Sequence, residues 1–382
     1  MKRSLNTSGL SKYMNIPTFI VTTSIIDDNL DSMGYNKNMK RLETRAVKVG
    51  NVQIGGQNKV IIQSMTNTKT HNVEETVKQI LSLEKAGCEV VRIAILEKKD
   101  AEAIKEIKKQ IHIPLVADIH FNPDFAIEAL KNGIDKIRLN PGNIENEDKI
   151  KEIVNLAKLR NVPIRIGINS GSLNHKYTHS IDAMMESAKD HLRILEELDY
   201  HNIVLSFKSS DAKETIEAYR KASTIFPYPL HLGVTEAGPL IDSTIKSSFA
   251  LGTLLNEGIG DTMRISISDD PVKEIEVAKK LLKTVGLKKD VPTLISCPTC
   301  GRIQYDMLPI VEEIEKYLET VSKDIKVAIM GCAVNGPGEA KAADIGVAGG
   351  KDAAIFFRHG KIERTIPQEK IVEVLKEEID KF

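Results

Sequence analysis

From Lys59 onward the chain alternates short runs rich in Val, Ile and Leu with longer amphipathic stretches of helical period. The runs are VIIQSM from Val60, EVVRIAI from Glu89, PLVADIH from Pro114, DKIRLN from Asp135, PIRIGIN from Pro163, NIVLSFK from Asn202, PLHLGVTE from Pro229 and TMRISI from Thr262. Each precedes a helical segment, such as VEETVKQILSLEKAG from Val73 or VKEIEVAKKLLKTVG from Val272. Several of these end on glycine, as at Gly87, Gly133 and Gly286, where a left-handed residue stops a helix cheaply. Strands that alternate with helices pair in parallel, and eight such units over roughly 230 residues predict a (β/α)8 TIM barrel. No G-x-G-x-x-G follows the first run, which removes the dinucleotide-binding form of an open doubly wound sheet.

Beyond Gly286 the alternation stops. After LKKDVP, which reads as a linker, the order is strand (TLISC), helix (Pro309 to Val321), strand (IKVAIMG) and a Gly-rich loop. Two more strands (DIGVAG, AIFFRHG) and a final helix from Pro367 follow. The expected organisation is therefore a barrel over residues 41–288 and a small α+β domain over residues 289–382. Ahead of both, residues 16–26 are mostly apolar, too short to span a bilayer, and run into Asp27, Asp28 and Asp31. Residues 1–40 are expected to be a disordered extension.

Composition narrows the function classes. Lys plus Arg and Asp plus Glu number 53 each, aromatics make up 4%, and Trp is absent. Neither a basic excess nor stacking aromatics argue for nucleic acid, and nothing calls for a membrane partner. Four cysteines in 382 residues are no disulfide framework, which points to the reducing cytoplasm.

In a barrel of this kind the C-terminal ends of the strands form the active site. Reading those ends gives Arg92, Asp118, His120, Arg138, Asn140, Asn143, Lys208, Glu236, Arg264 and Ser266. Arg92, Arg138, Lys208 and Arg264 fall on the second, fourth, sixth and eighth runs. Alternate strands share a layer inside a barrel, so these four are expected to form one ring. Asp118 and Glu236 are placed to neutralise two of them, and the surplus calls for an anionic ligand such as a phosphate or diphosphate. The bland alternative pairs each cation with a local acid such as Glu89 or Asp135, or lets it snorkel to solvent.

The second domain opens with SCPTCGR, a C-x-x-C of Cys297 and Cys300, and Cys332 follows in MGCAVNGPGEA. Three thiolates suit Zn²⁺ or an iron–sulfur cluster. Gly331, Gly336 and Gly338 leave backbone room and free N–H groups beside a bulky group. Cys88 lies at the opposite, N-terminal face of the barrel and reads as a small buried residue. The nearby fourth donor is Glu339, a harder and more exchangeable ligand than thiolate. A rival reading is a barrel transferase of the pterin-binding kind with a structural zinc domain.

These residues also carry a family resemblance. GNVQIGG (from Gly50), IQSMTNT (Ile62), AGCEVVRIAI (Ala86), LVADIHF (Leu115), DKIRLNPGNI (Asp135), SCPTCGR (Ser296), VAIMGCAVNGPGEA (Val327) and ADIGVAGGK (Ala343) closely resemble the 4-hydroxy-3-methylbut-2-enyl diphosphate synthases, in their bacterial two-domain form. The likeness runs from about Arg41 to the C-terminus; Asn122 stands where that family usually has Asp. The resemblance implies one [4Fe–4S] cluster per chain on Cys297, Cys300, Cys332 and Glu339. It implies 2-C-methyl-D-erythritol 2,4-cyclodiphosphate as substrate, flavodoxin or ferredoxin as electron donor, and a homodimer. The barrel cations would then hold the diphosphate, and Glu236 would be the proton donor or base.

Overall fold

In the computed structural model the described residues are 41–119, 122–139, 146–173, 180–333, 340–350 and 352–382. The expectation for residues 1–40 lies outside them, as do His120, Asn140, Asn143 and Glu339.

All eight runs form the parallel strands of a barrel. They are β3 (Ile61–Met65), β4 (Val90–Ile95), β5 (Leu115–Ile119), β6 (Lys136–Leu139), β7 (Ile164–Asn169), β8 (Ile203–Lys208), β9 (His231–Leu232) and β10 (Thr262–Met263). The sheet order is β8-β7-β6-β5-β4-β3-β10-β9, and a parallel bridge between Leu205 and Leu230 brings β9 back to β8. The helices between and after them are α1 (Val73–Ala86), α2 (Lys98–Lys108), α3 (Pro123–Lys131), α4 (Glu147–Arg160), α5 (Ile181–Glu197), α6 (Ala212–Ile225), α7 (Leu240–Asn256) and α8 (Pro271–Thr284). Local chemistry starts and stops them. Asn122 accepts from the Asp124 N–H with Pro123 in the first turn, so the departure from the family's usual Asp still caps α3. Asp270 does the same for α8, and Gly87, at φ +105°, ends α1.

The two-residue period of each strand sorts its side chains into two environments. Outward residues such as Val91, Ile93, Ile95, Ile164, Ile166 and Ile168 join the large core between strands and helices. Inward residues from β4, β6, β7 and β8 are instead Arg92, Lys136, Arg138, Arg165 and Lys208, all buried. A short antiparallel hairpin, β1 (Val47–Val49) and β2 (Val52–Ile54), precedes the barrel. It packs Val47, Val49 and Ile54 against Ile61, Val90, Val116 and Val204, residues at or near the starts of their strands. That apolar plug closes the N-terminal end, each large aliphatic contributing roughly 1.5–3 kcal/mol. The polar interior therefore opens only toward the strands' C-terminal ends.

The second domain carries a sheet in the order β11 (Thr293–Ser296), β12 (Lys326–Met330), β13 (Ile345–Gly349), β14 (Ala353–Arg358) and β15 (Lys361–Pro367). The first three pair in parallel and the last two antiparallel. α9 (Leu308–Leu318) and α10 (Ile371–Lys381) cover one face through Ile314, Leu318, Ile371, Leu375 and Ile379. β15 is an element the hydrophobic pattern does not announce. It is a charged edge strand, exposed along nearly its whole length, and Arg364 and Arg358 pair with Glu378 of α10. No helix among the described residues is long and apolar enough to cross a membrane.

Candidate active site

The barrel interior holds more positive charge than the strand ends suggest. Arg92, Arg138, Lys208 and Arg264 do face inward, and so do Lys136 and Arg165, which are 0% and 1% exposed. Lys136 precedes Arg138 by two on β6, and Arg165 stands opposite Arg138 on β7. The signal for both was in the sequence: in KIRL and IRIGIN every second residue is cationic or small, between aliphatics that belong to the outer core. Reading only the last residues of each strand passes over them.

Two carboxylates answer these six cations among the described residues. Asp118 accepts from Arg138 Nη1 at 2.9 Å and lies 3.5 Å from Arg92 Nε. The second is not Glu236, as the strand ends suggest, but Glu274 from α8. It holds Arg264 in a two-pronged pair at 2.9 and 3.1 Å and accepts from Ser64 Oγ at 2.7 Å. Glu236 is exposed, in the loop after β9, with a left-handed backbone at φ +51°. Ser266 is half-buried beyond β10, and its carbonyl accepts from Ser243 Oγ.

The bland pairing is ruled out by where the local acids go. Glu89 pairs with Lys59 and takes the Ile62 N–H, while Asp135 pairs with Lys108 and takes the Leu115 N–H. Among the described residues six basic side chains face two carboxylates, a surplus that a buried site cannot carry fully charged without an anion. Burial pulls Arg92 down to about 10, partly offset by Asp118, and holds Lys136, Arg165 and Lys208 well below their ordinary ranges. Arg165 Nε and Nη1 and the Nε2 of buried His231 have no hydrogen-bond partner among the described residues. Two glycines make room for the cations. A Cβ on Gly167 would lie 2.7 Å from Arg138 Nε, and one on Gly233 would lie 2.5 Å from Lys208 Nζ. Two surface clefts lie elsewhere, beside α1 and at the N-terminal face.

In the second domain, β11 and β12 run in parallel with Ser296 opposite Ile329. Cys297 therefore leaves β11 beside the end of β12, and Cys332 follows two residues after Met330. The Gly331 N–H donates to Cys297 Sγ at 3.2 Å, the kind of bond that stabilises a thiolate ligand. The turn carrying Cys300 folds back on the same glycine, with the Gln304 N–H on the Gly331 carbonyl at 2.9 Å. A Cβ at Gly331 would press on Ile303 at 3.1 Å, so glycine keeps the sulfur approachable. Cys297 and Cys332 are half-buried and Cys300 is exposed; Cys88 is buried, its thiol pushed up to about 12 by that burial. Among the described residues no group of three or more His, Cys, Asp or Glu is arranged to hold a metal ion. The donor chemistry at this sheet end, soft sulfur with backbone N–H support, fits a soft metal centre.

Comparison with known proteins agrees with both halves. Residues 44–279 match the GcpE TIM-barrel domain and residues 293–381 the GcpE protein C-terminal domain. The 4-hydroxy-3-methylbut-2-en-1-yl diphosphate synthase (flavodoxin) of Geobacillus kaustophilus (strain HTA426) is 57% identical over 347 residues, 90% of this chain and 93% of its own. The protein of the same name from Bacillus cereus (strain B4264) is 55% identical over 350 residues, 90% of this chain and 95% of its own. Among solved structures, a Yersinia pestis dihydropteroate synthase aligns at TM-score 0.48 and 14% identity over 63% of this chain and 98% of its own, too low to bear on function. The chain belongs to the GcpE family.

Proposed function

We propose that this protein is a 4-hydroxy-3-methylbut-2-enyl diphosphate synthase, which reductively opens 2-C-methyl-D-erythritol 2,4-cyclodiphosphate to (E)-4-hydroxy-3-methylbut-2-enyl diphosphate in the non-mevalonate isoprenoid pathway. The identity to the two synthases over nearly their whole length sets aside the pterin-transferase alternative. The observation that carries the substrate reading is the barrel's surplus of basic side chains over carboxylates among the described residues, enclosed by the hairpin plug and open at the mouth.

In this reading Arg92, Arg138, Lys208 and Arg264, with Arg165, hold the diphosphate. Asp118 and Glu274 fix the guanidinium planes so that little order has to be gained on binding. His120, Asn140, Asn143 and Ser266 would add further contacts to the substrate. Cys297, Cys300, Cys332 and Glu339 would hold one [4Fe–4S] cluster, which supplies the two electrons of the reduction, drawn from flavodoxin or ferredoxin. Glu236, exposed at the mouth, moves the proton as the substrate loses water. Such a site fits the reducing cytoplasm.

The active form in this reading is a homodimer. α8 runs back from the mouth, and the chain leaves it at the barrel's N-terminal end. There Lys280 and Lys283 meet Glu315 and Asp324 of the second domain in exposed ion pairs of small worth. The cluster domain thus sits far from its own mouth and, in this reading, caps the partner's. An apolar stripe on α7 supports a second copy: Ile241, Ile245 and Phe249, one helical turn apart, are 73%, 64% and 52% exposed.

Arg138→Ala or Lys208→Ala is expected to weaken substrate binding by roughly 1.5–3 kcal/mol with iron content unchanged. Wild-type Michaelis constants in both would place the diphosphate elsewhere. Gly167→Ala is expected to push Arg138 off Asp118 and cost roughly 1–3 kcal/mol in substrate affinity. Titration of the substrate into that variant checks it, and an unchanged Kd contradicts the packing argument.

A further inference from the structure

The interior contains a feature that holding a diphosphate at the mouth does not need. Lys136 sits a layer below Arg138, completely buried. Among the described residues its Nζ has one hydrogen-bond partner, Gln63 Oε1 at 3.3 Å, and no carboxylate. The groups facing it are Gln63 on β3, Arg92 on β4, Arg165 on β7 and His231 on β9, and those facing Lys208 are Arg92, Arg138 on β6, Arg165, His231 and Arg264 beyond β10. Both carboxylates are already committed, Asp118 to Arg92 and Arg138, and Glu274 to Arg264 and Ser64. Beneath lies the apolar plug of Val47, Val49, Ile54, Val90, Val116 and Val204. A protonated Lys136 would thus stand among like charges with one amide oxygen in place of water. Lys208 is only 7% exposed and likewise has no carboxylate partner among the described residues.

The guanidinium groups keep their protons throughout, since arginine does not titrate in this range. With both amines neutral, four arginines less two carboxylates leave two positive charges in the empty barrel. A cyclic diphosphate brings two negative charges, and the field that opposed protonating the amines is cancelled. We propose that Lys136 and Lys208 stand unprotonated in the empty barrel and take up protons from solvent as the diphosphate enters, so that substrate binding is coupled to proton uptake. Each step is R–NH₂ plus a solvent proton giving R–NH₃⁺. The phosphoryl oxygens of the cyclic diphosphate are strongly acidic and exchange no proton near neutral pH. Burial beside Arg165 and Arg92, which lowers both amines, agrees with this. The consequence has a definite sign. Binding consumes protons, so affinity falls as pH rises, about tenfold per pH unit for each proton taken up. This holds between the depressed value of the empty barrel and the restored value of the filled one.

The inference rests on the diphosphate reading, and calorimetry separates the two. The full chain, purified anaerobically, is titrated with 2-C-methyl-D-erythritol 2,4-cyclodiphosphate at one pH in phosphate and in Tris. The dependence of the heat on the buffer's ionisation enthalpy counts protons. Uptake of about one to two protons per site is expected. Lys136→Met, neutral in both states, and Lys136→Arg, charged in both, should each lower that count and flatten the pH dependence of Kd. Binding with less than about half a proton taken up by the wild type overturns the inference alone, as does a full wild-type count in both Lys136 variants. Absence of any binding overturns the diphosphate reading and this inference with it. The wild-type count needs no variant to fold.

Discussion

Replacing Cys297, Cys300 or Cys332 by Ala is expected to abolish synthase activity and to take bound iron from about four per chain to near zero. Each change removes one sulfur from the end of the β11–β12 pair, where the Gly331 N–H already donates to Cys297. The domain's own core should survive, because Ile314, Val327, Val347, Phe356 and Leu375 build it and Cys297 only packs against its edge. Cys88→Ala is the internal control. That thiol is buried at the far end of the barrel, beside the Val90 carbonyl, and its loss should leave iron and activity nearly intact. Iron analysis and the visible absorbance band of anaerobically purified protein read both outcomes. Stoichiometric zinc without iron in the wild type would contradict the ligand assignment and favour a structural metal.

A second expected result concerns two inactive chains that rescue each other. A Cys297→Ala chain has an intact barrel, and a Glu236→Gln chain has an intact cluster domain. If each cluster domain caps the partner's barrel, their heterodimer contains one site with both working halves and one with both defects. After random exchange half the dimers are mixed, so recovery of roughly a quarter of wild-type activity is expected. The geometry behind this is the short passage from Thr284 at the end of α8 to Thr293 at the start of β11. Its eight intervening residues reach at most roughly 30 Å fully extended, and must return along a barrel of about that depth. The pairs of Lys280 with Glu315 and of Lys283 with Asp324 mark the second domain's place near the starting point instead. Exchanged mixtures with no more activity than their parents, or an active monomer, would show that the site is assembled within one chain.

The sequence pattern makes the barrel legible because its strands are buried on both faces. The outward face of each strand, packed on helices, is written in Val, Ile and Leu, and eight such runs stand out. The hairpin of three-residue strands and the charged edge strand Lys361–Pro367 bury too little to leave that trace. Within the site, Arg92, Arg138, Lys208 and Arg264 can be read from their places at strand ends. Lys136 and Arg165 become legible only when the two-residue period is followed inward, from Arg138 to Lys136 and from Asn169 past Gly167 to Arg165. Glu274 is hidden for a different reason. An acid in the first turn of α8 reads as a partner of the helix dipole, and only the closed barrel brings it to Arg264 and Ser64. Glu236 shows the converse, since a strand-end position suggested an ion pair that the turn at φ +51° directs elsewhere.

The anaerobically purified protein is incubated with 2-C-methyl-D-erythritol 2,4-cyclodiphosphate and reduced flavodoxin, and the products are identified by mass spectrometry. Stoichiometric conversion to 4-hydroxy-3-methylbut-2-enyl diphosphate, lost when the reductant is left out, is the predicted result. Unchanged cyclic diphosphate in the presence of an iron-loaded chain and a competent reductant would contradict it.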